Sequence, residues 1–326
     1  MSAKFPELGC YLLAGQPRSS RAIVDEVADA ENLGLGTAFI SERYNKKEAA
    51  VLCGAAAAAS QTIHISTAAT NHNTRHPIVN AGMARIMQDI TGGRFTLGLG
   101  RGVPLLQDAY GIPRITTAQM EDFAGLMRRL FRGVTIIGHD GPAGSYPVLY
   151  LDSTLDEYLR LGMVAFAPNT LAMAGRRFDE VVLHTYFTDE TTARCVQTEK
   201  SAAEQAGRDP ADVKVWACLA TVGDHIPYAD RLMKTVGRLG TYLRGYGRLL
   251  VDTITGTAVC WSGSWPIRWS AACPGSTSPA RPNNSNMPPN CYPTNGWPTP
   301  PGAAHRTAPS TRIGLPTAGR ILSGSD

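Results

Sequence analysis

The sequence predicts an α/β fold of the TIM (β/α)8-barrel class, incomplete, with about seven β/α units and the eighth strand missing. Three observations carry this. Short apolar runs alternate with helical patterns from residue 8 to residue 246, the order expected of a parallel sheet with crossover helices. The runs consist of small and β-branched residues without polar alternation, as in strands covered on both faces. Polar residues gather where the runs end, the side on which parallel α/β proteins hold their ligands.

Taken in order, LGCYLLA at 8–14 is the first strand. Ser19 or Ser20 can cap a helix whose Ile23, Val27 and Ala30 face inward until Gly34 stops it. The second strand, 37–40, ends in Ser41-Glu42-Arg43-Tyr44-Asn45, and an alanine-rich helix follows over 48–60. A β-α-β unit comes next and organises the chain: strand 63–69, polar loop 71–76, a helix opened by Pro77, and a return strand, 94–99, running into glycines. Val79, Met83, Ile86, Met87 and Ile90 share one side of that helix and are read as its inward face, with Gly92-Gly93 as its stop.

PLLQDAYGIPRI after Gly102 reads as a loop. Thr116 and Gln119 have capping-box spacing ahead of a helix bearing Met120, Phe123, Met127 and Leu130. The pattern breaks over 133–150, which reads as an inserted hairpin or lid. A fifth strand, 161–167, leads into a short helix opened by Pro168-Asn169-Thr170 and closed by Gly175. Strand 180–184, a helix from Thr188 to about Gly207, strand 213–222 and a helix over 226–246 complete the ladder. The expected organisation is thus a barrel domain, 1–251, with insertion 133–150, and a tail, 252–326. The tail has no Lys and no Glu but holds more than half of the prolines and Trp261, Trp265, Trp269 and Trp297. It reads as disordered, although its tryptophans and low charge are the reverse of ordinary disorder, and the hypothesis is an out-of-frame reading of a GC-rich gene. Resequencing tests this: an undisturbed frame through codon 251, with tail peptides present in the proteome, would remove it.

A net charge of +4 is spread along the 326 residues without a basic block, which argues against nucleic acid and for a small-molecule substrate. No apolar run is long enough to span a bilayer, and the N-terminus lacks the pattern of a secretory leader, so a cytoplasmic location is expected. Seven cysteines without CxxC spacing argue against a disulfide framework or a zinc site. His72 and His76 are four apart but precede Pro77 in a loop, so no metal site is assigned to them.

Five separated motifs, ISERYNKKEA, NTRHP, GRFTLGLGRG, APNTLAMAGRRFDEVVLHT and AGRDPADVKVWACLATV, together resemble the luciferase-like monooxygenase superfamily over roughly residues 5–251. Within it the resemblance is to the actinobacterial branch that uses the deazaflavin coenzyme F420. The resemblance implies a barrel with a bulge in strand three, often carrying a non-prolyl cis peptide, against which the flat ring leans; the matching positions are Thr67, Ala68 and Ala69. It implies cofactor contacts from Gly98, Gly100, Arg101 and Gly102, with Arg101 meeting a phosphate or acidic substrate or else pairing with a surface carboxylate. Asn71 joins this set, or with Arg75 and His76 shapes the pocket or fixes the loop. Ala167, Pro168, Asn169 and Thr170 match the helix start that binds the cofactor phosphate, with Gly175 and the arginines after it as complement; Phe166-Ala167 stands where relatives often carry glycine. Glu42 and Arg43 match the positions nearest the reacting ring, with Glu42 hydrogen-bonding the ring or acting as a general acid/base tuned by burial and the adjacent guanidinium. The implied activity is hydride transfer between F420 and a small organic substrate. The alternatives are a monooxygenase using FMN and, in a different class, a truncated or frameshifted non-catalytic product. A homodimer is the candidate assembly.

Overall fold

Seven apolar runs become seven parallel strands: β1 (Phe5–Tyr11), β2 (Leu35–Ile40), β3 (His64–Thr67), β4 (Phe95–Leu99), β7 (Arg160–Val164), β8 (Glu180–Val182) and β9 (Lys214–Trp216), hydrogen-bonded in that order into a curled sheet. The structure is a computed structural model that describes residues 3–15, 17, 19–152, 158–255 and 322–323. Register places the strand ends level with one another. Tyr11 pairs with Phe39 and Phe39 with Ser66, while Val164 pairs with Val182 and Val182 with Trp216. These carboxyl ends make the mouth of the barrel, and the main core lies between the sheet and its helices. The expected seventh strand is broken after Trp216 and resumes as β10 (Leu219–Ala220). The eighth place, between β10 and β1, holds only the two-residue β11 (Leu322–Ser323).

The helices between strands follow from local capping. Helix α1 (Ala22–Asn32) buries Ile23, Val27 and Ala30, and Gly34 turns the chain at φ +78°. The Glu48 side chain accepts from the Val51 N–H at the start of α2 (Ala49–Ala58). Pro77 opens α3 (Pro77–Thr91), which left-handed Gly92 closes. The expected loop after Gly102 is instead α4 (Pro104–Tyr110), because Pro104 supplies an N-terminal turn and left-handed Gly111 a stop. Thr116 and Gln119 form the expected capping box on α5 (Thr117–Phe131). Residues 136–149 pair as an antiparallel hairpin of β5 (Ile136–Gly141) and β6 (Gly144–Leu149), outside the parallel sheet. Helices α6 (Pro168–Arg177) and α7 (Asp189–Gln205) flank β8. Helix α8 (Tyr228–Leu232) continues through a π-helical turn into α9 (Arg238–Thr255).

The inward face expected for α3 holds at Met83 and Met87 and fails at Val79, Ile86 and Ile90. Asn80, Ala81, Ala84, Met87, Gln88 and Thr91 are buried, whereas Val79, Ile86 and Ile90 are 55%, 55% and 52% exposed. Small alanines let α3 lie close to the sheet beside α2 and α5, which leaves no room on that side for the β-branched stripe. The domain boundary expected at 251 falls inside α9, which runs four residues further. Residues 256–321 and 324–326, most of the expected tail, lie outside the described residues.

Candidate active site

At the mouth, Phe39, Ala68, Val182 and Trp216 are buried together, with Tyr11, Val164 and Cys218 packed against them. Phe39 stands edge-on to Trp216 at 5.2 Å and tilted to Tyr11 at 5.5 Å, so an apolar, partly aromatic floor spans the strand ends. Ala68 is the small residue in it, and the Ala68–Ala69 peptide is cis, at the position the resemblance pointed to. The Trp216 Nε1 and Thr185 Oγ1 atoms are buried there without a protein partner among the described residues.

The loops after β2, β3 and β4 converge beside this floor. The Glu42 N–H donates to the Ala69 carbonyl (2.9 Å), the Thr70 N–H to that of Gly98, and the Gly100 N–H to that of Thr70. Asn71 Nδ2 donates to the Gly100 carbonyl (2.6 Å). Thr67 Oγ1 donates to the Gly98 carbonyl and accepts from the Gly98 N–H, both at 2.7 Å. The structure thereby brings Glu42, Thr67, Ala68, Ala69, Asn71, Gly98 and Gly100 into one cluster. The glycines are there because backbone approaches backbone: a Cβ on Gly98 would stand 1.8 Å from the Thr67 carbonyl oxygen, and one on Gly100 would stand 2.9 Å from the Ala69 methyl. Gly102 is left-handed and faces Tyr44 and Gln107.

The expected tuning of Glu42 by its neighbour Arg43 is not what forms. Glu42 is 5% exposed, and its Oε2 meets Arg75 Nη2 (3.1 Å), Thr70 Oγ1 and the Ala49 N–H at the start of α2. Arg75 also pairs with Glu48. Arg43 turns away and donates to the Gly15 carbonyl (2.7 Å), because Lys47 folds back on it in a tight loop. Arg101 Nε donates to the Ile115 carbonyl, which is neither of the partners considered for it.

After β7, Ala167 holds the N-cap position of α6, and Pro168, Asn169 and Thr170 form its first turn, in which Asn169 and Thr170 have N–H groups without an intrahelical acceptor. Gly175 does not belong with them. It lies in the last turn, where a Cβ would sit 2.2 Å from the Glu199 carbonyl of α7, and Arg176 and Arg177 both pair with Glu121. Gly175→Ala should therefore destabilise the fold by about 2–3 kcal/mol in urea melts through overpacking of α6 on α7. Unchanged stability with weaker cofactor binding would restore the ligand role.

Sequence reasoning missed His184, although a histidine closing the apolar run EVVLH was its signal. Its Nδ1 lies 2.7 Å from the Thr185 carbonyl and its Nε2 lies 2.7 Å from Tyr246 Oη. A carbonyl only accepts, so Nδ1 carries the proton and Nε2 receives the tyrosine O–H. Burial pushes this imidazole down to about 4, and a neutral ring at pH 7 fits both bonds. Phe166 packs on it at 5.0 Å and Tyr242 stands edge-on at 4.6 Å, so the Phe166 side chain joins an aromatic cluster. The backbone of α9 leaves helical geometry at Tyr246, which seats its hydroxyl on His184.

Because the unfolded histidine titrates near 6.5, the stability His184 contributes is complete above that pH and drains as pH falls toward 4, by at most about 1.4 kcal/mol per pH unit. Burial pushes Glu199 up to about 8, which acts in the opposite sense over the same range. The difference between wild type and His184→Phe isolates the histidine. That gap should narrow from pH 6.5 to pH 5 in urea melts, and a constant gap would contradict the assignment.

A family model described as luciferase-like monooxygenase matches residues 5–226. The chain is 28% identical over 197 residues to the 5,10-methylenetetrahydromethanopterin reductase of Methanolobus tindarius, covering 59% of this chain and 59% of that enzyme. The match thus spans less than two thirds of the relative's length. Among solved structures, the coenzyme F420-dependent tetrahydromethanopterin reductase from Methanopyrus kandleri aligns with TM-score 0.59 and 18% identity, covering 79% of this chain and 81% of that one. The oxygenating constituent of 3,6-diketocamphane monooxygenase from Pseudomonas putida, in complex with FMN, aligns with TM-score 0.57 and 19% identity, over 76% and 77%. At these identities the two structures share the fold alone. The family match takes in all seven parallel strands that raise the mouth, so this chain belongs to the luciferase-like monooxygenase family.

Proposed function

We propose that the protein is an oxidoreductase that transfers a hydride between the deazaflavin coenzyme F420 and a small organic substrate. The observation that carries this reading is the floor of Phe39, Ala68, Val182 and Trp216, an apolar bed for a flat ring at the ligand end of the barrel. Support also comes from the reductase relative and from the F420-dependent enzyme that shares the fold. The orphaned Trp216 Nε1 and Thr185 Oγ1 fit the polar rim of such a ring.

When bound, the reduced cofactor would supply a hydride from its C5 carbon, and in the reverse direction the oxidised cofactor would accept one there. The chain orients it. Thr67, Ala68, Ala69, Asn71, Gly98, Gly100 and Gly102 form the wall beside the ring, and Arg101 the rim beyond them. Ala167, Pro168, Asn169 and Thr170 offer the α6 N-terminus to the cofactor phosphate. Glu42 stands nearest the substrate edge. All three side-chain bonds of Glu42 go to Oε2, which leaves Oε1 to hold or move a proton, while Arg43 fastens the adjoining loop.

Titrating the purified chain with F420, followed by deazaflavin absorbance and fluorescence, tests the reading. Saturable binding is expected, with Glu42→Gln still binding but turning over about 100-fold more slowly. Failure to bind removes the function, and unchanged turnover in the variant removes the role of Glu42. FMN is the second reading, favoured by the shared fold of the FMN complex; tighter binding of FMN in the same titration would select it. A homodimer belongs to the proposal, supported by the exposed apolar Val79, Ile86 and Ile90 on α3 and Val51 on α2, and a monomer by light scattering would remove it. Among the described residues no helix is long and apolar enough to cross a membrane. Cys10, Cys53 and Cys195 are buried thiols, which supports a reducing, cytoplasmic location.

A further inference from the structure

The hairpin β5–β6 lies outside the parallel sheet, yet it is pinned in place. Asp122 of α5 accepts from the Ala143 N–H (2.9 Å) and meets His139 Nε2 at 3.0 Å, while Tyr146 stacks on His139. Together with the loop after β3, the segment before α5 and the start of α5, the hairpin borders an open cavity of about 440 Å3, within the range of small-molecule sites. None of the floor residues Phe39, Ala68, Val182 and Trp216 lines it.

Its walls are flat. His72 stacks on Phe123 at 4.8 Å, and His76 stands edge-on to Tyr146 at 5.2 Å, with Pro77 and Pro113 beside them. Its polar atoms are mixed. His72 is nine-tenths buried, and its Nδ1 has no protein partner among the described residues; Asn73 Oδ1 is likewise buried and unmatched. His76 Nδ1 accepts from the Ile78 N–H, so its other nitrogen is a donor. Gln119 Oε1 is taken by the Thr116 N–H, which leaves the amide nitrogen as a donor. The formal charges are already matched: Arg75 by Glu42 and Glu48, Arg114 by Asp108. Burial holds His72 neutral by pushing it down to about 4. A charged guest would therefore enter without a counter-ion.

We propose that this cavity, lined by none of the four floor residues, is a second small-molecule site for a neutral planar heteroaromatic compound that carries both a hydrogen-bond donor and an acceptor. The flat walls select a ring, the unmatched His72 and Asn73 atoms and the His76 and Gln119 donors select its polar edge, and the matched charges select against an ion.

Ligand-observed NMR titration of the full chain tests this with nicotinamide and uracil as probes and nicotinate as the anion of nearly the same shape. Saturable binding of nicotinamide or uracil with Kd of about 1 mM or tighter is expected, with nicotinate about tenfold weaker than nicotinamide. Ala143→Leu fills the cavity and should weaken the neutral probes at least about tenfold, with the melting temperature confirming the fold. Tyr146→Ala removes one wall and should weaken them as well. Absence of saturable binding by both neutral probes overturns the site. Binding that survives Ala143→Leu and Tyr146→Ala unchanged overturns its location, and nicotinate binding as tightly as nicotinamide overturns its ligand class.

Discussion

Gly98→Ala should destabilise the protein by about 3 kcal/mol or more in urea melts and abolish saturable F420 binding. The added Cβ would stand 1.8 Å from the Thr67 carbonyl oxygen, an atom of the neighbouring strand that cannot rotate aside. Strands β3 and β4 would have to part where Thr67 Oγ1 holds both backbone groups of Gly98 at 2.7 Å. The strain falls on the segment that sets Ala68 and Ala69, so stability and ring binding should fail together. Gly111→Ala is the control. Gly111 is left-handed at φ +66° but has open space around it, so alanine there should cost only about 1 kcal/mol of backbone strain. A Gly98→Ala protein that melts with wild type would show that the strands do not approach this closely.

Glu42→Ala should cost about 3 kcal/mol, because removing one partner of a buried ion pair leaves the other charge and its hydrogen-bond donors unmatched. Arg75 would keep Glu48 and its bond to Thr70 Oγ1, and the Thr70 hydroxyl and the Ala49 N–H would lose their acceptor. Glu42→Gln, which keeps a carbonyl oxygen, should recover about half of the loss. A double-mutant cycle with Arg75→Ala should give a coupling of about 2 kcal/mol. Strict additivity would mean that the pair does not hold the β3 loop.

Much of the ladder was legible because it rests on spacing within a few residues. Ile23, Val27 and Ala30 face the sheet as their period requires, and Thr116 with Gln119 caps α5 as written. The strand ends that carry Thr67–Ala69 and Gly98–Gly102 were legible for the same reason, since polar and glycine residues directly follow apolar runs. The α3 face was not. Its sequence offers one stripe of β-branched residues and another of alanines, and periodicity cannot say which lies against a crowded sheet. The short helix after Gly102 was hidden by its length, Pro104 and Gly111 being its only signals.

By itself, the sequence determined the order of strands and helices and the strand ends at which the mouth would open, because propensity, capping and apolar period act between near neighbours. Only the tertiary structure decided the partnerships. Glu42 bonds to Arg75, 33 residues away, rather than to Arg43 beside it. His184 takes its hydroxyl from Tyr246, 62 residues on, and Gly175 lies where α6 packs against the Glu199 carbonyl of α7. In each case the physical reason is the same: curling the sheet brings remote groups into buried contact, where a fully satisfied bond outweighs the water-exposed one available next door.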